Sequence, residues 1–559
     1  MKTKIISNVK GYQNLFKLSD VEINYSDGKE TEDYLYKEII KSKNKEDFVS
    51  LEDKIINWPS KYHFNWYRTN ILLPIKFNKD EKILELGGGT GIITKELCKD
   101  GNFVITTEGT FSRARIIAER CSDYDKLQII VGNIFSDKFN SLVSQYKYDK
   151  ILLIGVLEYA QKYDNNHLDP VSYLLKLCYS LLNANGQLII AIENKLGLKY
   201  LLGYNEDHTN IPHYGTQSLY KKHNDVITYS SSELRMMLFE SGFERSKFYY
   251  PFPDYKLPNI IVSEEYYNSQ TSMNLIADVL FDMQSKNYND RLGKQLQEGA
   301  ILNNFIYSKN LELVSNSFLI VSSKNKISID ENSLLYYISK NRRNKYKNAL
   351  VFYLKNSQLT KRRIWKDQHH LKGLLSFNPE GNEEIVVDGR NLMFIFKNLY
   401  QHNCFNEFIF YVEIYLSYLM DNAKKLGNRN FELLPQNIIL NKDNQLSHFD
   451  CNEWECEFVL NYQTIFARFL FLNNDILKWM IQNYNLKYYG NFVKDTNNIL
   501  KKSKHPVIYQ FEFLQIVEIQ KYIANNILMR DYKIPLRKRL LNRIERLSIK
   551  IFNSLYSLF

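Results

Sequence analysis

Residues 83 to 91 read Ile-Leu-Glu-Leu-Gly-Gly-Gly-Thr-Gly, which sets Glu85, Gly87, Gly89 and Gly91 at alternate positions. Glycines so spaced let a backbone turn sharply and approach a ligand, and a helix opening after the turn adds unpaired N–H donors. The pattern is E-x-G-x-G-x-G. A dinucleotide fingerprint counted from Gly87 would need glycine where Ile92 stands. Glu108 closes the next apolar run, where a carboxylate can accept hydrogen bonds from both hydroxyls of a ribose. Gly132-Asn133-Ile134 ends a third run and offers a place for a contact to an adenine amine. Gly155-Val156-Leu157-Glu158-Tyr159 ends a fourth. The four loops together describe a site for a nucleoside-type ligand.

A second group of reactive residues follows in Glu193-Asn194-Lys195-Leu196-Gly197-Leu198-Lys199-Tyr200 and Gly203-Tyr204-Asn205-Glu206-Asp207-His208-Thr209. His208 beside Asp207 and Glu206 is a candidate general base, because neighbouring carboxylates raise an imidazole's proton affinity. The alternative is a loop of solvated charges. Cys451 and Cys456 lie near His448, but their spacing fits no common zinc pattern. The six cysteines are sparse, as suits a reducing cytoplasm.

These loops need elements to hold them. Short apolar runs at Lys82–Leu86, Phe103–Thr107, Leu127–Val131, Lys150–Ile154 and Gln187–Ile192 alternate with amphipathic stretches such as Ile92–Leu97 and Ser112–Arg120. That alternation predicts an α/β fold, a parallel sheet covered by helices on both faces, with ligand loops at the carboxyl ends of its strands. Lys247–Pro251 and Ser317–Ser322 are two further strands, separated by a mostly helical insertion at about 259–315. Ser230 with Glu233 forms a capping box opening the helix before the sixth strand. Residues 1–55 read as a polar helical extension, 56–327 as the α/β domain, 328–533 as an α+β domain and 534–559 as a basic amphipathic helix.

Composition narrows the function classes. With 44% hydrophobic and 24% charged residues, the chain is not a mainly disordered one. Its formal charge of +11 is uneven, since residues 331–559 hold 33 basic and 21 acidic side chains and the front half is close to neutral. A nucleic-acid substrate is therefore not expected, because the basic excess lies away from the glycine loop. No apolar run is long enough for a signal peptide or a membrane span, so a cytoplasmic location is expected.

From Glu85 to Glu193 the chain resembles class I S-adenosylmethionine-dependent methyltransferases, motif by motif. The resemblance implies a Rossmann-like sheet of seven strands whose last strand, Ser317–Ser322, is antiparallel. It implies that Glu85, Gly87, Gly89 and Gly91 form the glycine motif and that Glu108 is the ribose-binding acid. Asn133 and Ile134 would lie at the adenine and Gly155 at the methionine moiety. It places His208, Asp207 and Glu158 near the transferred methyl, with Tyr159, Glu193, Asn194 and Tyr255 on the acceptor side and no metal in this domain. The segments ENKLGLKYLLGYNEDH, FYYPFPDYKLP and NSFLIVSSK look like a subgroup from bacterial surface-polysaccharide and lipopolysaccharide loci. This implies a glycan or lipid-linked saccharide acceptor, with glycosyltransferases as partners.

The back half carries its own pattern. Glu432, Asn437 and Asp450 stand at the spacing of a phosphotransferase catalytic loop and metal loop, and this looks like a divergent protein-kinase-like fold. That resemblance implies ATP and Mg2+, bound through Asn437 and Asp450. Glutamate in place of the usual aspartate, and the lack of a glycine-rich phosphate loop, depart from it; Lys361 is the nearest candidate for the phosphate-binding lysine. The alternatives to a methyltransferase alone are a bifunctional enzyme that phosphorylates and methylates a glycan end, or a methyltransferase-fold scaffold for a glycosyltransferase. Residues 536–550 carry six basic side chains against Glu545, so this helix can lie on an anionic membrane or pack on its own domain.

Overall fold

The structure, a computed structural model, describes residues 6–18, 23, 25–43, 51–164, 166–222, 224–285, 297–327, 329, 332–339, 342, 347–365, 374–377, 383–449, 451 and 454–524. Two compact units divide the chain. The first comprises 1–267 and 282–338, the second 268–281 and 339–559. Asp450 and the basic helix at 534–559 lie outside the described residues.

Among the described residues, eleven strands form the sheet of the first unit: β1 (Ile6–Asn8), β2 (Leu15–Leu18), β3 (Lys82–Leu86), β4 (Phe103–Glu108), β5 (Leu127–Val131), β6 (Tyr148–Ile154), β7 (Leu182–Glu193), β8 (Arg245–Phe252), β9 (Ile260–Ser263), β10 (Ser317–Ser323) and β11 (Ser333–Ile338). The central order is β5-β4-β3-β6-β7-β10-β8. Strands β3 to β7 pair in parallel, whereas β10 runs antiparallel to both β7 and β8. This is the seven-stranded methyltransferase-type sheet with one reversed strand that the resemblance implied. The strands are short Val/Ile/Leu runs because both faces are covered. Ile83, Leu84, Ile151, Leu152, Ile189 and Ile190 are fully buried. The capping box forms as expected, with the Glu233 N–H donating to the Ser230 Oγ and the Ser230 N–H to Glu233 Oε2.

The N-terminal segment differs from the helical extension expected of it. Leu15–Leu18 pairs in parallel with β5, and β1 folds back against it, so the sheet gains an edge that polar flanking sequence concealed. Helix α1 (Lys29–Lys43) then packs on a later helix, α4 (Phe111–Arg120), through Leu35, Ile39 and Ile116. At the opposite edge β9 joins β8 and β11 joins β9, so one more strand of this sheet follows the change of texture near residue 328.

Within the second unit, Asn348–Lys355 and Gln358–Trp365 form an antiparallel hairpin. Among the described residues six α-helices follow, from Leu392–Gln401 to Gln510–Tyr522. Their core is aromatic, with Phe396, Phe408, Tyr415, Phe466 and Phe469 packed together. Of the helical insertion expected at 259–315, Gln270–Leu280 belongs to this second unit, where Asp278 binds the Arg390 guanidinium.

If α1 is part of the fold, Leu35→Ala should lower the stability of the first unit by roughly 2–5 kcal/mol, the usual range for deleting a fully buried leucine side chain. A urea midpoint unchanged from wild type would show that α1 is an appendage.

Candidate active site

Strand β3 ends at Leu86, and the next residues take conformations that L side chains rarely adopt: φ is 79° at Gly87, 60° at Gly89 and 83° at Gly91. Two of these positions matter for different reasons. A Cβ on Gly87 would stand 2.6 Å from Val156 Cγ2, so this glycine lets two loops meet, whereas a Cβ on Gly89 would meet nothing within 4 Å. Gly89 faces a cavity of about 490 Å3 at the carboxyl ends of the parallel strands.

Glu85 braces the turn from below. The Thr94 and Thr106 hydroxyls donate to its Oε2 at 2.6 and 2.7 Å, which ties β3 to β4 and to helix α3 (Ile92–Leu97). Burial pushes this carboxyl upward. Glu108, at the end of β4, accepts the Gly89 N–H at 2.9 Å and lines the cavity. Burial raises it too, against the pull of Arg113. Arg113 is held in turn by Asp27 and Glu32 from the N-terminal segment, and its guanidinium lies 4.4 Å from the centre of the Tyr25 ring. His63 links the same region to the glycine turn, with Nε2 3.0 Å from Asp27 and Nδ1 2.9 Å from the Thr90 hydroxyl.

At the third loop the wall is built by Gly132, Ile134 and Phe135. The Asn133 side chain does not line the cavity. Its Oδ1 accepts the Phe135 N–H and its Nδ2 donates to the Tyr163 carbonyl, so its role is to shape the loop.

The far end of the cavity is a knot of buried charge. Lys256 donates to both Glu193 and Asp207, the latter at 2.6 Å, and Lys199 donates to both Asp207 oxygens at 3.0 and 2.9 Å. Burial opposes the charge on Asp207, yet Lys199 and Lys256 hold it at about 2. Burial likewise opposes the charge on Glu193, but Lys256 and then His208 keep it well below the usual carboxylate range. His208 Nε2 lies 3.8 Å from Glu193 Oε2. Burial disfavours the imidazolium, but Glu193, with Glu206 and Glu158, lifts His208 to about 8. Glu158 is fully buried, and burial together with the Glu193 charge pushes it to about 8.

The structure brings Glu85, Gly87, Gly89, Glu108, Ile134, Gly155, Glu158, Tyr159, Asp207, His208 and Tyr255 to one cavity. Gly91 caps α3 beside it. Asn194 is elsewhere: its amide donates to the Leu313 and Ser315 carbonyls and anchors the end of β7. The pairing inferred from adjacency is also corrected. Asp207 does not support His208 but binds two lysines, and the carboxylate facing the imidazole is Glu193. Tyr255, expected on the acceptor side, is only 2% exposed, and its hydroxyl fits where a Cβ on Gly155 would be. Sequence reasoning missed Tyr25, Asp27, His63, Arg68 and Lys256, all on the cavity wall. Only Lys256 had a signal, lying in the quoted PFPDYKLP segment.

In the second unit, the Asn437 amide donates to the Glu432 carbonyl at 2.9 Å, and Lys361 pairs with Glu384 at 3.0 Å. These contacts brace the loop and the hairpin.

No protein-family model matches the chain. Two curated relatives, both named ribosomal RNA small subunit methyltransferase A, align over 82 residues: one from Mycoplasma mycoides subsp. mycoides at 33% identity, one from Mycoplasma capricolum at 32%. Each alignment covers 15% of this chain and spans only 30% of the relative's length. Among solved structures, the CcbJ methyltransferase of Streptomyces caelestis is similar at 12% identity and a TM-score of 0.28, covering 46% of this chain and 88% of that one. A SAM-dependent methyltransferase from Archaeoglobus fulgidus is similar at 14% identity and a TM-score of 0.27, covering 47% of this chain and 93% of that one. Likeness at this level says nothing of an acceptor; the fold rests on the strand order itself.

Replacing Lys256 by methionine leaves Glu193 and Asp207 buried with less positive charge beside them. Such a loss should cost roughly 3–5 kcal/mol of stability. An unfolding midpoint equal to wild type in Lys256→Met would show that the knot is not a structural requirement.

Proposed function

We propose that this chain is an S-adenosylmethionine-dependent methyltransferase acting on a hydroxyl of a surface-glycan precursor, such as a lipopolysaccharide or capsule intermediate. The observation that carries the first part is the pairing of an open glycine turn with Glu108 over one cavity. The residues fit the cofactor. Gly89 leaves room for close backbone approach, the Glu108 carboxylate suits a ribose diol, and Gly132, Ile134 and Phe135 offer a largely apolar wall for adenine. When bound, S-adenosylmethionine supplies a methyl group on a sulfonium centre. The protein's part is to orient it, to exclude water and to manage the acceptor's proton, and the Glu158–Glu193–His208 group is the one suited to the last task.

The acceptor reading is supported by the cavity's composition. Tyr25, Tyr62 and Tyr159 supply aromatic faces, and Asn205, Glu206 and Asn210 supply polar groups, a mixture that matches a polyhydroxylated ring. Among the described residues no helix is long and apolar enough to cross a membrane. Contact with a lipid-linked acceptor would then fall to a peripheral element, and the basic segment 536–550 has the composition for it. In this reading the second unit supports the first. Its kinase-type motif adds a phosphotransfer step only if ATP is consumed in the presence of acceptor.

Calorimetry tests the cofactor claim. The wild type should bind S-adenosylhomocysteine at one site, and Glu108→Ala should weaken binding by about 10-fold or more, the worth of a hydrogen bond to a charged group. No binding by the wild type, or equal binding by the variant, overturns it. Methyl-labelled cofactor tests the acceptor. Label should enter a saccharide hydroxyl of a lipid-linked glycan fraction, and label in ribosomal RNA instead would overturn the glycan reading.

A further inference from the structure

Glu158, Glu193 and His208 arrive from three places, the turn after β6, the end of β7 and the loop beyond it. They nevertheless offer ligand atoms that all lie within 4.8 Å of one another. Two donors bound to one small cation stand at most about 4.2 Å apart, so a slight side-chain rotation closes the set. Proximity alone would make this a charge cluster, but the hydrogen bonding says more. Both oxygens of Glu158 are buried and have no hydrogen-bond partner, and Oε2 of Glu193 and Nε2 of His208, also buried, have only each other at 3.8 Å. Glu158 and Glu193 are each 0% exposed. An unsatisfied buried carboxylate costs free energy, and native proteins keep one only where a water, an ion or a ligand completes it.

The remaining atoms of these side chains are engaged as supports for a metal site would be. Glu193 Oε1 is held by Lys256, which leaves Oε2 pointing at His208. His208 is placed by its own backbone N–H donating to Glu206 Oε2 at 2.9 Å, and its Nδ1 faces the Tyr159 hydroxyl at 3.4 Å. Partners of this kind fix the orientation of a ligating imidazole. The two carboxyl groups and the imidazole supply three donor atoms, and the Lys256 ammonium shares the charge of Glu193.

We propose that Glu158, Glu193 and His208 form a site for a first-row divalent cation of the Mn2+ or Zn2+ kind. The donor set of two oxygens and one imidazole nitrogen suits these ions better than Ca2+, which takes six to eight oxygens, or a thiolate-seeking metal. Three protein ligands leave coordination positions open, and Glu158 and His208 both line the cavity. The open positions therefore face the space assigned to the acceptor, where an oxygen of the acceptor can bind. This use of the ion rests on the methyltransferase reading, whereas the site itself does not.

The full chain, stripped with chelator and dialysed, should bind one equivalent of Mn2+ or Zn2+ by calorimetry in the absence of cofactor. Glu158→Gln and His208→Ala should each weaken that binding at least tenfold. Absence of binding by the wild type, or binding that neither variant changes, overturns the site. Electron paramagnetic resonance of the Mn2+-loaded wild type avoids any folding defect of the variants. An immobilised ion with nitrogen coupling is expected, and a spectrum of free aqueous Mn2+ overturns the proposal. If the wild type takes up no cation and Glu158→Gln instead weakens S-adenosylhomocysteine binding, Glu158 serves the amino-acid end of the cofactor. Cation binding without S-adenosylhomocysteine binding would keep the site and remove the methyltransferase reading.

Discussion

Lys256 neutralises two buried carboxylates at once, and much of the cavity's floor depends on that contact. Without it Glu193 and Asp207 would face each other's charge in a region that excludes water. With it, the end of β7 and the loop carrying Lys199, Asp207 and His208 are drawn together. The same contact sets the proton balance of the site. A fully ionised Glu193 raises His208 and pushes the neighbouring Glu158 towards its neutral form. The chemistry available in the cavity thus follows from how one ammonium group distributes its hydrogen bonds.

The glycine-turn side of the cavity follows a similar rule with different residues. Glu85 is buried and satisfied by two threonine hydroxyls, which makes it part of the scaffold that shapes the turn, while Glu108 keeps an edge on the cavity. Two acids of one motif therefore have different tasks. The N-terminal segment completes the arrangement, since Asp27, just before α1, reaches both Arg113 and His63 and so joins this segment to the glycine turn.

Legibility varied with the range of the interactions involved. The central strands, the glycine turn, Glu108 and the capping box at Ser230 were readable because each is specified by residues close together in sequence. Partners were not. His208 was matched to its neighbour Asp207, but chain adjacency does not control where side chains point, and Asp207 turns to Lys199 and Lys256. Asn133 and Asn194 carry the right chemistry at the right strand ends, yet backbone groups nearby claim their amides. Tyr255 sits in the quoted loop but is packed against Gly155, where its ring closes the wall.

By itself the sequence determined an α/β sheet with ligand loops at its carboxyl edge, and the glycine turn with an acid on the following strand. Periodicity and turn chemistry are local properties, and local properties are written in consecutive residues. Tertiary structure alone decided that residues 15–18 join the sheet, that Lys256 bridges two acids, and that Glu158, Glu193 and His208 converge. Each of these brings together groups far apart in the chain, and burial then multiplies the strength of whatever charges meet. That is why the motif could be read in advance and the convergence of Glu158, Glu193 and His208 could not.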